Sequence, residues 1–188
     1  SALIAIERAC GSGSVIRDPS LLEGYAHDES EALPCMPEAV VRATSTADVS
    51  AVMKAAYEHE VPVTPRGGGT GRVGGAVPVP GSIVLAFEKM NAIVGIDKGE
   101  LTTRVQPGLI TGELQRITEE ENLYYPPDPN SRDSCAIGGN LAANAGGPRA
   151  FKYGVTREYV MGMDVVLADG TILKLGRETK KGVTGYDL

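Results

Sequence analysis

Six glycines stand in the eleven residues from Pro65 to Gly75, PRGGGTGRVGG, beside two arginines and a threonine. Glycine at that density loses much conformational freedom on folding. It marks a backbone forced into an unusual shape, or one that something must approach closely. Gly69-Thr70-Gly71-Arg72-Val73-Gly74 matches G-x-G-x-x-G letter for letter. That spacing serves a dinucleotide only where a helix opens from the loop and turns its N-terminus toward the pyrophosphate. Here the chain runs on into GAVPVPG, and Pro78 and Pro80 cannot both lie inside a helix. A Rossmann site is therefore excluded, and a P-loop fails because no Gly-Lys-Ser/Thr follows. What remains is a nest, in which successive backbone N–H groups of a glycine-rich turn hold an anion without any helix. Arg66 and Arg72 would bracket it with positive charge, and Thr70 would add a hydroxyl donor. The alternative is a flexible surface loop; a position between two apolar strands favours the cradle. On this reading Gly69→Val crowds the approach of a phosphate, and ligand affinity collapses while the fold survives.

A second cluster of small residues, glycines and amides follows at 124–147, YYPPDPNSRDSCAIGGNLAANAGG. Two such clusters suggest one long ligand gripped at two places, and a dinucleotide has that shape. The remaining reactive side chains are sparse. His59 lies in YEHEV on a solvated helix face and His27 in the loop AHDES. Two isolated histidines give no metal-ligand spacing, so no metal is expected. Cys135 reads as a small buried thiol rather than a nucleophile, and Lys180 and Lys181 as solvated. No residue is assigned as a catalytic base.

The elements that must position these clusters can be read from pattern. Short helical pieces occupy residues 1–30, and EAVVRA (38–43) reads as a strand. Ser45 or Thr46 can cap a helix over TADVSAVMKAAYEHE, with Val49, Val52, Met53 and Ala56 as its buried stripe. VPVTP is a short strand before the glycine loop. SIVLAF (82–87) and AIVGI (92–96) are strands, and LTTRVQ (101–106) pairs back through DKGE, where Gly99 would supply the awkward backbone angle. PGLITGELQRITEEEN gives a helix carrying Leu114 and Ile117 inward, and a short helix begins at Gly138 or Gly139. A last hairpin turns at Asp169-Gly170. Helix and strand alternate first and hairpins follow. The fold class is α+β with two lobes, 1–100 and 101–188, the second incomplete at its C-terminus.

Composition bounds the rest. The 188 residues are 42% hydrophobic with a net charge of -6, which argues against a general nucleic-acid binder. No apolar stretch approaches the roughly 20 residues of a membrane span, and the opening SALIAIERACGSGS lacks the basic start of a signal peptide. Three scattered cysteines, Cys10, Cys35 and Cys135, suit a reducing cytoplasm better than a disulfide framework.

PRGGGTGRVGGAVP, RVQPG, YYPPDP, IGGNLAANAGGPRAFKYG and DVVLADGTI occur in this order. Together they resemble the FAD domain of the vanillyl-alcohol oxidase / p-cresol methylhydroxylase family over residues 25–188. The branch most similar holds the glycolate oxidase flavin subunit and the D-lactate and D-2-hydroxyglutarate dehydrogenases. The resemblance implies a two-lobed FAD-binding domain and oxidation of a 2-hydroxy acid by hydride transfer to FAD. Its first FAD loop falls on Pro65, Arg66, Gly67, Gly68, Gly69, Thr70, Gly71 and Gly74, with Gly75 ending the motif. Contacts on the ring side fall on Pro107, Gly108, Pro127 and Asp128, and the second glycine motif on Gly138, Gly139, Asn140 and Asn144, with Gly154 after it. Pro127 and Asp128 could equally be turn formers, and the two asparagines could cap local backbone. Thr70 stands where some members carry the histidine that attaches FAD, so non-covalent FAD is implied. The chain stops at TGYDL, before the family's Gly-Ser-Glu-Gly stretch and its substrate domain. This implies a fragment inactive alone, with a 2-hydroxy acid substrate only alongside that domain. A partner subunit, and a position in the cytoplasm or peripheral to the inner membrane, go with that reading. A nucleotide-binding or subunit-docking module without activity is the alternative. A reductase of the cell-wall enolpyruvyl-sugar type is a third reading, which YYPPDP fits less well.

Overall fold

A computed structural model describes residues 1–176. In its first part, β1 (Val15–Ile16), β2 (Ala39–Arg42), β3 (Val63–Arg66) and β4 (Ile83–Ala86) form one sheet in the order β1-β2-β4-β3. β1 runs antiparallel to β2, while β2, β4 and β3 are parallel. Parallel neighbours need a crossover, and α3 (Thr46–Glu58) supplies it between β2 and β3. The glycine loop follows β3, and β4 then returns to the middle of the sheet. Every residue of β4, IVLA, is buried, as expected of a strand covered on both faces. On one face Ala39, Val41, Ile83 and Leu85 pack with Val49, Val52, Ala55 and Ala56 of α3 and Ile6 of α1 (Ala2–Cys10). On the other, Val40, Val84 and Ala86 meet Leu22 of α2 (Pro19–Leu22) and Tyr25. Each buried Val, Leu or Ile contributes about 1.5–3 kcal/mol. Of the two candidate caps for α3 the structure uses Ser45, and Met53 packs at the rim of the stripe while Ala55 is buried within it.

The second part holds two hairpins and three further α-helices among the described residues. β5 (Ile93–Asp97) pairs with β6 (Thr102–Val105), and residue 100 falls in the turn between them. Gly99 does not supply the unusual backbone angle in that turn. The left-handed residue is Leu101, at φ +55°. The Asp97 carboxylate accepts from the N–H groups of Gly99 (2.8 Å) and Glu100 (3.0 Å) and shapes the turn before Leu101 is reached. In α4 (Thr111–Glu120) Leu114 is buried as expected, but Ile117 is half-buried. Its polar neighbours Gln115 and Thr118 are buried instead, because each finds a carbonyl partner: Pro127 O for Gln115, and Leu114 O and Gln115 O for Thr118. α5 (Ile137–Ala143) starts one residue before the expected glycines, and α6 (Ala150–Tyr153) follows. Leu109, Leu114 and Ile137 form this part's core with Ile93, Val105, Tyr125 and Leu141.

β7 (Gly162–Val166) and β8 (Ile172–Gly176) form the last hairpin. Its Asp169-Gly170 turn, with Gly170 at φ +86°, docks back on α3: Ser50 Oγ donates to Gly170 O at 2.5 Å, and Val166 packs on the first core.

The N-terminus of α3 is closed by a capping box. Ser45 Oγ accepts from Asp48 N (3.1 Å), and the Asp48 carboxylate accepts from Ser45 N (3.1 Å) and Thr44 N (2.9 Å). Ser45→Ala is expected to cost about 1 kcal/mol in denaturant unfolding at neutral pH. Burial pushes the Asp48 carboxyl up, but the hydrogen bonds from Thr44 and Ser45 hold it below its ordinary 3.8. A depressed folded value means that its stabilisation is complete above the ordinary carboxyl range and is lost as pH falls through the folded value. The stability gap between the wild type and Asp48→Ala should therefore close on acidification, as unfolding curves at successive pH values would show.

Candidate cofactor site

The first glycine loop leaves the C-terminal end of β3. No helix forms between Gly67 and β4, so the exclusion of a Rossmann site holds in the structure. Gly69 (φ +69°) and Gly74 (φ +76°) occupy the left-handed region, where other residues are strained. Among the described residues, none of the backbone N–H groups from Gly67 through Arg72 donates to another residue. Backbone donors in folded chains are nearly always paired. Six successive donors without a protein acceptor on a turning backbone are what an anion-binding nest requires.

Arg66 carries its positive charge beside Gly69, and its guanidinium is already engaged. Its Nη1 donates to His27 O (2.6 Å), its Nη2 to Gly24 O (3.1 Å), and its Cζ lies 5.6 Å from the centre of the Tyr25 ring. Tyr25 is held in turn, its hydroxyl donating to Glu88 Oε1 at 2.7 Å. Burial lowers the proton affinity of Arg66 from its ordinary value, against the opposing pull of Tyr25, Asp28 and Glu88. Arg72 is exposed at the loop tip and Thr70 is half-buried. A side chain at Gly69 would point into the Arg66 guanidinium at a positive φ. Gly69→Val therefore strains the loop itself, and is not the clean test of ligand approach that the sequence suggested.

The segment at Asp28 is a part of the site that the sequence reading missed. Asp28 is buried, with its carboxylate beside Gly71. Oδ1 accepts from Ser30 N (2.9 Å), Oδ2 accepts from Ala76 N (3.4 Å), and Glu29 N donates to Gly71 O (3.0 Å). Burial pushes the Asp28 carboxyl up, yet the hydrogen bonds from Ser30 and Ala76 and the Arg66 charge bring it below its ordinary value. The signal available was D-x-S in AHDES, which favours a side-chain-to-backbone turn.

The second cluster packs directly against the first. A Cβ on Gly68 would collide with Ser134 O and stand 3.1 Å from Cys135 Cα, and one on Gly67 would meet Ala136 Cβ at 3.2 Å and Gly139 N at 3.6 Å. Gly138 is pressed against Pro107, and its N–H donates to Pro107 O at 2.8 Å. Gly108 donates to Met90 O at 2.8 Å, and a side chain there would collide with Phe87 O. Gly68, Gly108 and Gly138 are required by neighbouring backbone. Gly139 differs: it is exposed, a Cβ there would meet nothing within 4 Å, and it adjoins Gly67. Pro127 O accepts from Gln115, and the Asp128 carboxylate accepts from Arg149 N (3.0 Å) and pairs with the Arg149 guanidinium (3.3 Å). Asn140 is buried and donates to Thr111 Oγ1 at 2.5 Å. Asn144 ends α5 in the left-handed conformation and accepts from Arg157 N at 3.0 Å. Gly154 (φ +81°) closes α6.

His27 offers its backbone carbonyl to Arg66, and His59 caps the exposed end of α3. Cys135 is a buried thiol 3.3 Å from Thr111 Oγ1, as expected. No metal-holding cluster occurs among the described residues. Lys180 and Lys181 lie outside the described residues.

A diphosphate fits this site through backbone donors: free N–H groups on the first loop, a glycine-lined approach, and open space at Gly139. The fold and site define a nucleotide-cofactor domain that is not a Rossmann fold. The chain matches the FAD binding domain family over residues 37–176, and it belongs to that family. It is 46% identical over 164 residues to the glycolate oxidase subunit GlcD of Bacillus subtilis, covering 87% of this chain and 35% of that one. It is 46% identical over 167 residues to the D-lactate dehydrogenase of Anaerostipes hadrus, covering 88% and 35%. With the D-2-hydroxyglutarate dehydrogenase of Stutzerimonas stutzeri it shares 39% over 176 residues, covering 94% and 38%. The chain thus spans about a third of the length of these relatives. Substrate-bound p-cresol methylhydroxylase superposes with a TM-score of 0.78 at 27% identity, over 92% of this chain and 34% of that one. Alkyldihydroxyacetonephosphate synthase reaches 0.84 at 22% identity, over 93% and 34%, and shares the fold.

Gly139→Ala adds a methyl to a helix with space for it. It should leave stability unchanged or raised by about 0.5–1 kcal/mol while weakening FAD binding. Gly68→Ala should lower the melting temperature whether or not flavin is present. Thermal unfolding and FAD titration of the two variants separate a ligand-facing glycine from a packing glycine.

Proposed function

We propose that this chain is the FAD-binding part of a flavin-dependent oxidoreductase that oxidises a 2-hydroxy acid of the glycolate or D-lactate type by hydride transfer. The observation that carries the proposal is the run of six free N–H donors from Gly67 to Arg72 beside the open face of Gly139. The relatives bearing those activities support the substrate class. Bound FAD would supply the two-electron acceptor; the protein's task is to bind, orient and electrically tune it. The first loop, Pro65 to Gly74, holds the diphosphate through backbone donors, and Thr70 leaves the attachment non-covalent. Gly138 and Gly139 give a floor bare of side chains. Pro107, Gly108, Pro127, Asp128, Asn140, Asn144 and Gly154 complete the contact set. In this proposal the lobes divide before β5 rather than at residue 100, because Ile93 of β5 and Val105 of β6 pair and pack into one core, and the chain alone does not turn over substrate. No residue is assigned as the proton acceptor. Three free cysteines are in keeping with a cytoplasmic setting.

A docking role alongside the FAD role is favoured by one feature. Leu33 (88% exposed) and Val73 (90% exposed) stand out on the loops around Gly74, and Phe151 is fully exposed on α6. In this proposal a partner subunit or a further domain covers Leu33 and Val73, whose loops adjoin at Gly74.

The visible absorbance spectrum of the purified chain, before and after adding FAD and desalting, tests the proposal. Yellow flavin retained on the protein and released on denaturation is the expected result. A chain left colourless after FAD addition overturns the FAD reading for this stretch.

A further inference from the structure

The two glycine clusters meet at Gly68 and Cys135, and Cys135 is held from behind by α4. Thr111, the first residue of that helix, is fully buried. Its backbone N–H donates to Cys135 O at 3.0 Å, and its hydroxyl reaches the same oxygen at 3.3 Å. The hydroxyl also accepts from Asn140 Nδ2 at 2.5 Å. One side chain thus joins the residue that backs Gly68 to the residue after Gly139. The surrounding pairs keep the same register: Ile110 bridges Ala136, Ile137 N donates to Leu109 O (2.9 Å), and Gly112 N donates to Arg132 O (2.8 Å). Ile110 offers no side-chain cap. The first N–H groups of α4 are satisfied by the second cluster instead, so the helix start and the site are built as one unit.

We infer that Thr111 is a positioning residue for the flavin site, an inference that rests on the FAD reading above. It touches no ligand. Its hydroxyl sets the rotamer of Asn140 and the path of the 135–139 backbone, and through them the distance between Gly139 and the first loop. Valine has nearly the same shape and keeps the backbone bond to Cys135 O. Thr111→Val therefore removes the hydroxyl alone and leaves the buried Asn140 amide without its acceptor, while Thr111→Ser restores it.

The test compares the wild type, Thr111→Val and Thr111→Ser, using FAD titration, thermal unfolding without FAD, and the visible circular dichroism of saturating bound flavin. Thr111→Val should weaken FAD about tenfold at a temperature where it is fully folded, and should change the dichroism of the bound flavin. Thr111→Ser should bind within about threefold of the wild type. A residue that only stabilises the fold would lower the melting temperature and leave affinity and dichroism alone; that result overturns the inference and leaves the FAD reading standing. Equal losses in the valine and serine variants also overturn it, since the hydroxyl would then not be the agent. A wild type that binds no FAD overturns both. Should Thr111→Val not fold, Thr111→Ala, Asn140→Ala and their double variant decide. Acting through Asn140, the double variant should bind no worse than the weaker single one, and additive losses would refute the linkage.

Discussion

The contact between the Gly67–Gly68 backbone and Ser134–Ala136 is the constraint on which the rest of the structure depends. At Gly68 the two chain segments are so close that no side chain could stand between them. That approach brings the turn after β3 against the start of α5. It also forces the second part of the chain to build its backing from the same pieces: Pro107 against Gly138, Met90 O to Gly108, Thr111 to Cys135. Interiors packed this tightly do not deform continuously. A displacement at one of these contacts is therefore passed to the others.

Charge is arranged with economy around that contact. The arginine nearest the loop is spent on two carbonyls and an aromatic ring of the N-terminal segment, and Asp28 beneath the loop is spent on backbone N–H groups. The loop is stiffened from below by ionic groups whose bonds are already made. The loop itself offers a row of backbone dipoles, with the Arg72 charge exposed at its tip. Fixed backbone donors need no reorganisation to meet a diphosphate, and their geometry is set before any ligand arrives. The anchoring of residues 24–30 explains why this segment, which carries no glycine motif, belongs to the site.

Much of the fold was legible in the sequence. The apolar run IVLA and the stripe of α3 announce burial, and Asp169-Gly170 announces a hairpin. Pro78 and Pro80 rule out the helix that a dinucleotide fingerprint would need. The failures have physical causes. Glycine takes a positive φ most easily and so marks Gly99 for the turn angle, but Asp97 shapes the turn and leaves that angle to Leu101. Periodicity turns Ile117 inward, while Gln115 and Thr118 are buried because carbonyls await them. Arg66 brings its charge to the loop, but the carbonyls that hold its guanidinium lie in a segment brought to it only by folding.

The sequence by itself determined strands β2 to β8 and helices α3 to α5, though not β1 or α6, together with the two glycine clusters and the exclusion of a Rossmann site. These rest on local physics: hydrophobic period, the fixed φ and missing donor of proline, and the conformational freedom of glycine. Only the tertiary structure decided what each glycine is for. Gly68, Gly108 and Gly138 are glycine because another part of the backbone occupies the place of a side chain, and Gly139 stands open. A glycine looks the same in sequence whether protein or ligand comes near it, and which of the two approaches is settled by the segments that folding brings to its side.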